Sequence, residues 1–208
     1  MIPVCLLALV GHAFAEGIHT GIPLETVDGW GSPSFQTSTM GWTTLFEEGL
    51  AWVVVTRTEE EAHLWVESLV EKQARRSPNP VEGLADEAFG SPGWFLIARE
   101  GNVGVMVQTE NRARDWLQYL LDSIVDDPVT WPEPASLEAM HGGLWVVDAP
   151  EAQHIAYRGG RLSSQPSLIF VEPPTQVIVW DSFGRATAQI FDDAGRPAGM
   201  AEEAQPTE

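Results

Sequence analysis

The sequence predicts an α+β protein built on an antiparallel sheet with two helices. Strand-like and helical segments alternate along the chain: strand 50–56, helix 58–76, strand 94–99, strand 103–108, helix 111–125 and strand 144–147. This β-α-β-β-α-β order is that of the ferredoxin-like split βαβ arrangement, which places both helices on one face of the sheet.

The first half of this pattern rests on a strand and a capped helix. The segment 50–56 is apolar and rich in valine, which favours a buried strand. Thr58 and Glu61 form a Thr-x-x-Glu capping box, which satisfies free amide groups at a helix start. Apolar side chains keep helical spacing to about Arg76, where Ser77-Pro78 predicts the end of the helix.

The second half contains a hairpin, a helix and a further strand. Gly83–Gly90 is predicted as a loop, and Glu100-Gly101-Asn102 as the tight turn between strands 94–99 and 103–108. Apolar residues at helical spacing predict the helix at 111–125. The apolar, β-branched segment 144–147 closes the core region, which extends over residues 50–148.

The N-terminal region divides into two segments. Residues 1–15 combine an uncharged apolar run with the small-residue ending Ala13-Phe14-Ala15, which is typical of a cleaved secretory signal. Cleavage there would remove Cys5, the single cysteine, and would exclude disulfides. Residues 16–49 are rich in Gly, Ser, Thr and Pro, and predict an irregular leader with at most one short strand.

The C-terminal region is predicted to cover or extend the sheet. Strands 50–56 and 94–98 are apolar almost continuously, whereas a sheet covered on one face alternates apolar and polar residues. The β-rich extension 149–196 is the candidate cover within the chain, with the Val177–Trp180 run buried. Its two Asp-x-x-Gly-Arg sequences, at 181 and 192, predict hairpin turns. Residues 197–208 are acidic and predicted to be disordered.

Composition excludes several classes of partner. The chain has 30 acidic and 11 basic residues and a net charge of −19, so it repels phosphate backbones and predicts no nucleic-acid partner. The apolar run at the N-terminus is shorter than the roughly 18 residues needed to span a bilayer. No Walker loop, Gly-x-Ser-x-Gly elbow or dinucleotide fingerprint occurs, so no cofactor is predicted.

The segment Gly83–Phe89 carries a weak family resemblance. Its Gly-Leu-Ala-Asp-Glu-Ala sequence, the later Gly101-Asn102 turn and the final helix 111–125 resemble small exported bacterial lipoproteins and domains of unknown function. The likeness covers roughly residues 50–127. It implies export more than any activity, and it gives a Mog1/PsbP-like arrangement as the alternative fold.

The candidate catalytic residues are few. Asp86 and Glu87 are adjacent carboxylates in the predicted loop and are candidate ligand-binding residues. With His141 they also define the alternative of a secreted hydrolase. Their simpler interpretation is that Asp86 caps a turn. Glu59-Glu60-Glu61 with His63 lacks the second histidine of a zinc helix, and three acids suit a first helical turn. His141 and His154 flank a strand, and no metal site is predicted from them.

The chain has nine tryptophans, and their positions bear on ligand binding. Six lie in predicted elements and are expected in the core: Trp52, Trp65, Trp94, Trp116, Trp145 and Trp180. Trp30, Trp42 and Trp131 lie in loop-like sequence, where aromatic faces either stack on a glycan or pack across the domain edge. The sequence therefore predicts a non-catalytic, periplasmic or secreted binding module. Its partner would be an envelope protein, a second copy or a glycan.

Overall fold

The computed structural model describes residues 19–27, 30, 33–36, 40–126, 130–150, 152–157 and 168–198. The predicted signal segment 1–15, including Cys5, lies outside the described residues, as does the predicted acidic tail from residue 199 onward.

The described residues confirm the α+β class, with two α-helices and thirteen strands. The helices are α1 (Glu59–Lys72) and α2 (Ala113–Leu121). The strands are β1 (Ser34–Gln36), β2 (Gly41–Phe46), β3 (Gly49–Val55), β4 (Asn79–Pro80), β5 (Glu87–Ser91), β6 (Phe95–Glu100), β7 (Val103–Thr109), β8 (Ser136–Ala139), β9 (Trp145–Asp148), β10 (His154–Tyr157), β11 (Phe170–Val171), β12 (Thr175–Trp180) and β13 (Ala186–Phe191).

Helix α1 begins as the sequence predicts and ends earlier. Thr58 accepts a hydrogen bond from the amide of Glu61 at 3.1 Å, and the Glu61 carboxylate accepts one from the amide of Arg57 at 2.9 Å. The α-helix ends at Lys72, because the following residues tighten into a 3-10 turn at Ala74–Arg76. The predicted second helix is likewise shorter than 111–125 at both ends.

The largest sheet has seven antiparallel strands in the order β1-β2-β3-β7-β6-β5-β4. Strands β3 and β6, joined through α1, flank β7, so the predicted split βαβ unit is present. The predicted last strand of that sheet, 144–147, forms as β9 but belongs to another sheet. Its expected place beside β3 is taken by β2, which reaches β3 through a two-residue turn and so closes a much shorter loop.

The leader prediction of at most one short strand is wrong, because β1 and β2 both lie in residues 16–49. Gly41 and Gly49, which suggested irregular structure in the sequence, instead allow neighbouring strands to pack closely. A Cβ atom on Gly41 would lie 2.5 Å from the carbonyl oxygen of Val53, and one on Gly49 would lie 2.0 Å from that of Gln108. Neighbouring backbones therefore approach these two strand positions too closely for a side chain.

The two helices cover opposite faces of the sheet, and the prediction that they share one face is wrong. Val66 and Leu69 of α1 cluster with Phe95, Ile97 and Met106. Leu117 and Leu120 of α2 belong to the cluster of Leu96, Ala98 and Val105, whose side chains point the other way. Strands β6 and β7 are apolar on both faces because each face has its own helix.

The C-terminal strands cover the same face as α2, which confirms the predicted role of the extension. Strand β12 is the centre of the sheet β10-β12-β13 and alternates between two hydrophobic clusters. Ile178 and Trp180 pack into the cluster under the large sheet. Val177 and Val179 pack the opposite way, against the third sheet, β11-β9-β8. The Val177–Trp180 run is buried throughout, as predicted.

Both Asp-x-x-Gly-Arg sequences form the same hairpin turn, as predicted. The Oδ1 atom of Asp181 accepts hydrogen bonds from the amides two and four residues further on, at 2.9 and 3.0 Å. Asp192 repeats the pattern at 2.9 Å in both cases. Gly184 and Gly195 adopt φ values of 76° and 70°, which favour glycine.

Residues 197 and 198, the first two of the predicted disordered tail, pair with strand β13. The amide of Ala198 donates to the carbonyl of Ile190 at 2.7 Å, and Pro197 pairs with Phe191. The prediction of disorder from residue 197 is therefore wrong for residues 197 and 198.

Candidate ligand-binding site

Asp86 and Glu87 both contact one arginine, Arg99. The Asp86 carboxylate accepts hydrogen bonds from the amide of Gly101 at 2.9 Å and from Arg99 at 3.3 Å. Glu87, which begins strand β5 instead of lying in the predicted loop, binds the Nε atom of Arg99. The two acids thus hold the β6–β7 hairpin, and the capping interpretation of Asp86 fits this geometry.

His63 joins this network from helix α1. Its Nδ1 atom lies 2.9 and 3.0 Å from the two carboxylate oxygens of Glu87, and its Nε2 atom lies 3.6 Å from the carboxylate of Glu67. The hydrogen bond and the charge of Glu87 raise the pKa of His63 above its usual value. Because both ring nitrogens face carboxylates, the ring favours the cation, whereas a general base needs a free, neutral nitrogen.

The two histidines considered for metal binding, His141 and His154, lie in different parts of the fold. His154 stacks on Phe35 with the ring centroids 4.1 Å apart, and burial lowers its pKa. His141 lies in the turn between β8 and β9. Within the described residues, no group of three or more His, Cys, Asp or Glu side chains is arranged to hold a metal ion.

The three loop tryptophans all contact protein neighbours. Trp42 is fully buried in β2. Trp30 packs against Phe46 and Trp116, with ring centroids 4.9 and 4.8 Å apart. The guanidinium carbons of Arg57 and Arg185 lie 4.7 and 5.8 Å from the ring centroid of Trp131. The packing interpretation fits these contacts, and Trp30 and Trp131 are half-buried.

Trp94 is the tryptophan that the sequence misplaced in the core. Its side chain is 68% exposed, at the turn that joins β5 to β6. The amide of Trp94 donates to the carbonyl of Ser91 at 2.9 Å, which closes the turn. The signal was available in the sequence, since Ser91-Pro92-Gly93 is a turn sequence directly before this residue.

A pocket of about 360 Å³ opens beside Trp94 on the α1 face of the sheet. The remaining lining residues supply a buried ring, a guanidinium group and short polar groups: Arg76, Ser91, Phe95, Gln108 and Thr109. The guanidinium carbon of Arg76 lies 5.6 Å from the ring centroid of Phe95. An aromatic surface with a few convergent polar groups is the usual composition of a small-ligand site.

Positive charge is clustered at the end of α1, where Arg76 lines this pocket. Lys72, Arg75 and Arg76 are all exposed at the C-terminal end of α1, where the helix dipole favours cations. None of the three forms an ion pair within the part of the chain that the structure describes. In a chain of net charge −19, these three groups are available to an anionic ligand.

Comparisons with known proteins add no assignment. The chain matches no known protein family, no characterised protein and no solved structure. Among the described residues, no helix is long and apolar enough to cross a membrane.

Proposed function

We propose that the protein is a non-catalytic binding module, exported to the periplasm or secreted, and that its ligand binds in the pocket beside Trp94. The ligand presents a ring face to the indole and an anionic group to Arg76 and its neighbours. The observation that carries this proposal is the 68% exposure of Trp94 next to a pocket with a guanidinium group on its rim.

Two contributions to the binding free energy favour a ligand in the pocket beside Trp94. An exposed indole leaves a large apolar surface in water, and contact with a ligand ring recovers part of that free energy. The unpaired cations attract a ligand anion over a range of about 10 Å at moderate ionic strength. Export is supported by the signal-like sequence of residues 1–15.

The test compares two sugars that differ only at C6, where glucuronate has a carboxylate and glucose has a hydroxymethyl group. Saturation-transfer NMR of the purified protein with glucuronate and with glucose should show saturable binding of both sugars, with glucuronate preferred. Trp94→Ala should abolish the signal for both sugars, whereas Arg76→Gln should remove the preference for glucuronate.

Two exposed residues far from the pocket in sequence supply matched controls. Phe170→Ala removes an aromatic ring that is 47% exposed, and Arg196→Gln removes a guanidinium group that is 78% exposed. Neither should change binding. Absence of saturable binding, or equal binding by wild type and Trp94→Ala, would contradict the proposal.

A further inference from the structure

A second depression adjoins the pocket beside Trp94. It has a volume of about 440 Å³, and its lining includes Leu45, Leu50 and Glu48 together with Gln108 and Thr109, which also line the first pocket. The two depressions therefore lie on either side of Gln108, whose side chain is exposed. Together they form one groove, which we call the end groove.

The strand register shows that the floor of the end groove is a single row of residues across the sheet. Ser91 pairs with Phe95, Phe95 with Gln108, Gln108 with Leu50, and Leu50 with Leu45. Directly paired residues of antiparallel strands point to the same face, here the face of α1. Five strands at about 4.8 Å spacing make the row about 19 Å long.

Helix α1 covers the next row of the sheet and also Phe95 of this row, but it leaves the Leu45 end of the row open. Ile97 and Met106, one row inward, pack under Val66 and Leu69. At the end row, by contrast, Leu45 is 69% exposed. The end groove thus offers exposed apolar surface at both ends and an exposed amide in the middle.

The backbone of the groove floor is already used by the sheet. The row crosses β5, β6, β7, β3 and β2, and its three central strands, β6, β7 and β3, are paired on both sides at this row. At the two ends of the row, Leu45 and Ser91 lie beyond the residues that pair with β1 and β4. An extended peptide lying along the row needs main-chain partners along its length, and the three central strands offer none. A pyranose chain has no such requirement, because its C–H faces suit Trp94 and Leu45 while its hydroxyl groups suit the Gln108 amide.

Charge divides the end groove into two parts. Arg76 lies at the end beside Trp94, and Lys72 and Arg75 are close to it along the chain. The second depression is instead lined by the carboxylates of Glu47, Glu48 and Glu110. Glu48 pairs with Arg112 at 3.8 Å, so Glu47 and Glu110 carry the remaining negative charge. A polymer with an acidic group on every unit would be repelled there, so the complementary ligand is acidic at one end and neutral along the rest.

We propose that the end groove binds an oligosaccharide of several pyranose units, with an acidic sugar on Trp94 and neutral sugars running towards Leu45. This inference rests on the proposed function and adds the class and the length of the ligand. One unit occupies the pocket beside Trp94, Gln108 contacts the junction, and later units lie on Leu50 and Leu45.

The experiment measures affinity against chain length by isothermal titration calorimetry. The ligands are β-1,4-linked glucose oligomers from disaccharide to hexasaccharide, each carrying one terminal glucuronate, and glucuronate itself. Affinity should rise at least about tenfold between glucuronate and the tetrasaccharide and then level off, because each further contact adds binding free energy only while it lies in the groove.

A groove variant and its control locate the added contacts. Leu45→Ser should lower the affinity for the tetrasaccharide and leave that for glucuronate unchanged. Ile190→Ser, which alters a side chain of β13 that is 55% exposed, should change neither. If glucuronate binds but affinity does not depend on length, the oligosaccharide inference fails while the proposed function stands. Tighter binding of a polyglucuronate or of an acidic peptide would also overturn the inference.

Discussion

Replacing Trp180 by alanine removes a fully buried indole from the interface between the C-terminal strands and the large sheet. Trp180 has 0% exposure, and its ring centroid lies 5.0 Å from that of Phe35. Its Nε1 atom donates a hydrogen bond to the carbonyl of Met40 at 3.2 Å. The substitution therefore tests whether the extension is part of the core or a separate module.

The expected loss follows from burial and hydrogen bonding. Truncating a buried tryptophan to alanine costs about 3–5 kcal/mol, and the lost hydrogen bond belongs to the same side chain. A typical domain has only about 5–15 kcal/mol of stability, so Trp180→Ala should lower the free energy of unfolding by a large fraction. For a chain of this size the Tm should fall by roughly 6–20 °C.

Urea unfolding followed by far-UV circular dichroism measures this loss. The matched control is Trp94→Ala, which removes the same side chain from an exposed position and should change stability by no more than about 0.5 kcal/mol. The Trp180→Phe variant separates the hydrogen bond from the packing. A cost below about 1 kcal/mol for Trp180→Ala, or one equal to that of Trp94→Ala, would refute the assignment of the extension to the core.

Three further perturbations test local features of the fold. Thr58→Ala should lower the free energy of unfolding by about 0.5–2 kcal/mol in the same urea assay, because the first turn of α1 loses its cap; an unchanged midpoint would mean that the cap contributes nothing. Gly184→Ala should cost more than Gly83→Ala, since both glycines have φ near 70° but a Cβ atom at Gly184 would lie 2.1 Å from an indole nitrogen, whereas Gly83 has open space; equal losses would contradict the close packing. The pKa of His63 is raised, so its stabilising effect is complete below pH 6.5 and is lost as the pH rises through the folded pKa. The pKa of His154 is lowered because burial disfavours its protonated form, so the folded protein keeps its full stability above pH 6.5 and loses stability as the pH falls through the folded pKa. The free energy of unfolding should therefore vary less with pH on the alkaline side in His63→Gln, and less on the acidic side in His154→Gln. The reverse pattern would show that the directions of the two pKa shifts are wrong.

The sequence was most informative where local pattern and burial coincide. Apolar, β-branched segments located β3, β7 and β12, and the Thr58 cap located the start of α1. The nearly continuous apolar strands also correctly indicated a sheet covered on both faces. The placement of both helices on one face was wrong, because it followed an analogy in element order rather than the residues themselves.

The candidate site was harder to predict because exposure of a tryptophan is decided by tertiary packing. Trp42 lies among glycines and serines, yet neighbouring strands enclose it completely. Trp94 adjoins an apolar strand, yet the preceding turn directs it outward. The cationic residues Lys72, Arg75 and Arg76 were visible in the sequence, but the position of Arg76 beside Trp94 depends on how α1 crosses the sheet.

Strand β12 belongs to two hydrophobic clusters at once, with Ile178 and Trp180 in one and Val177 and Val179 in the other. Neither of the layers on its two sides can separate without bringing apolar side chains of β12 into water. The layers are therefore expected to open together, as one cooperative unit with slow hydrogen exchange at the β12 amides. Slow, matched exchange across β10, β12 and β13 would make this strand the link that joins the C-terminal extension to the folding of the whole chain.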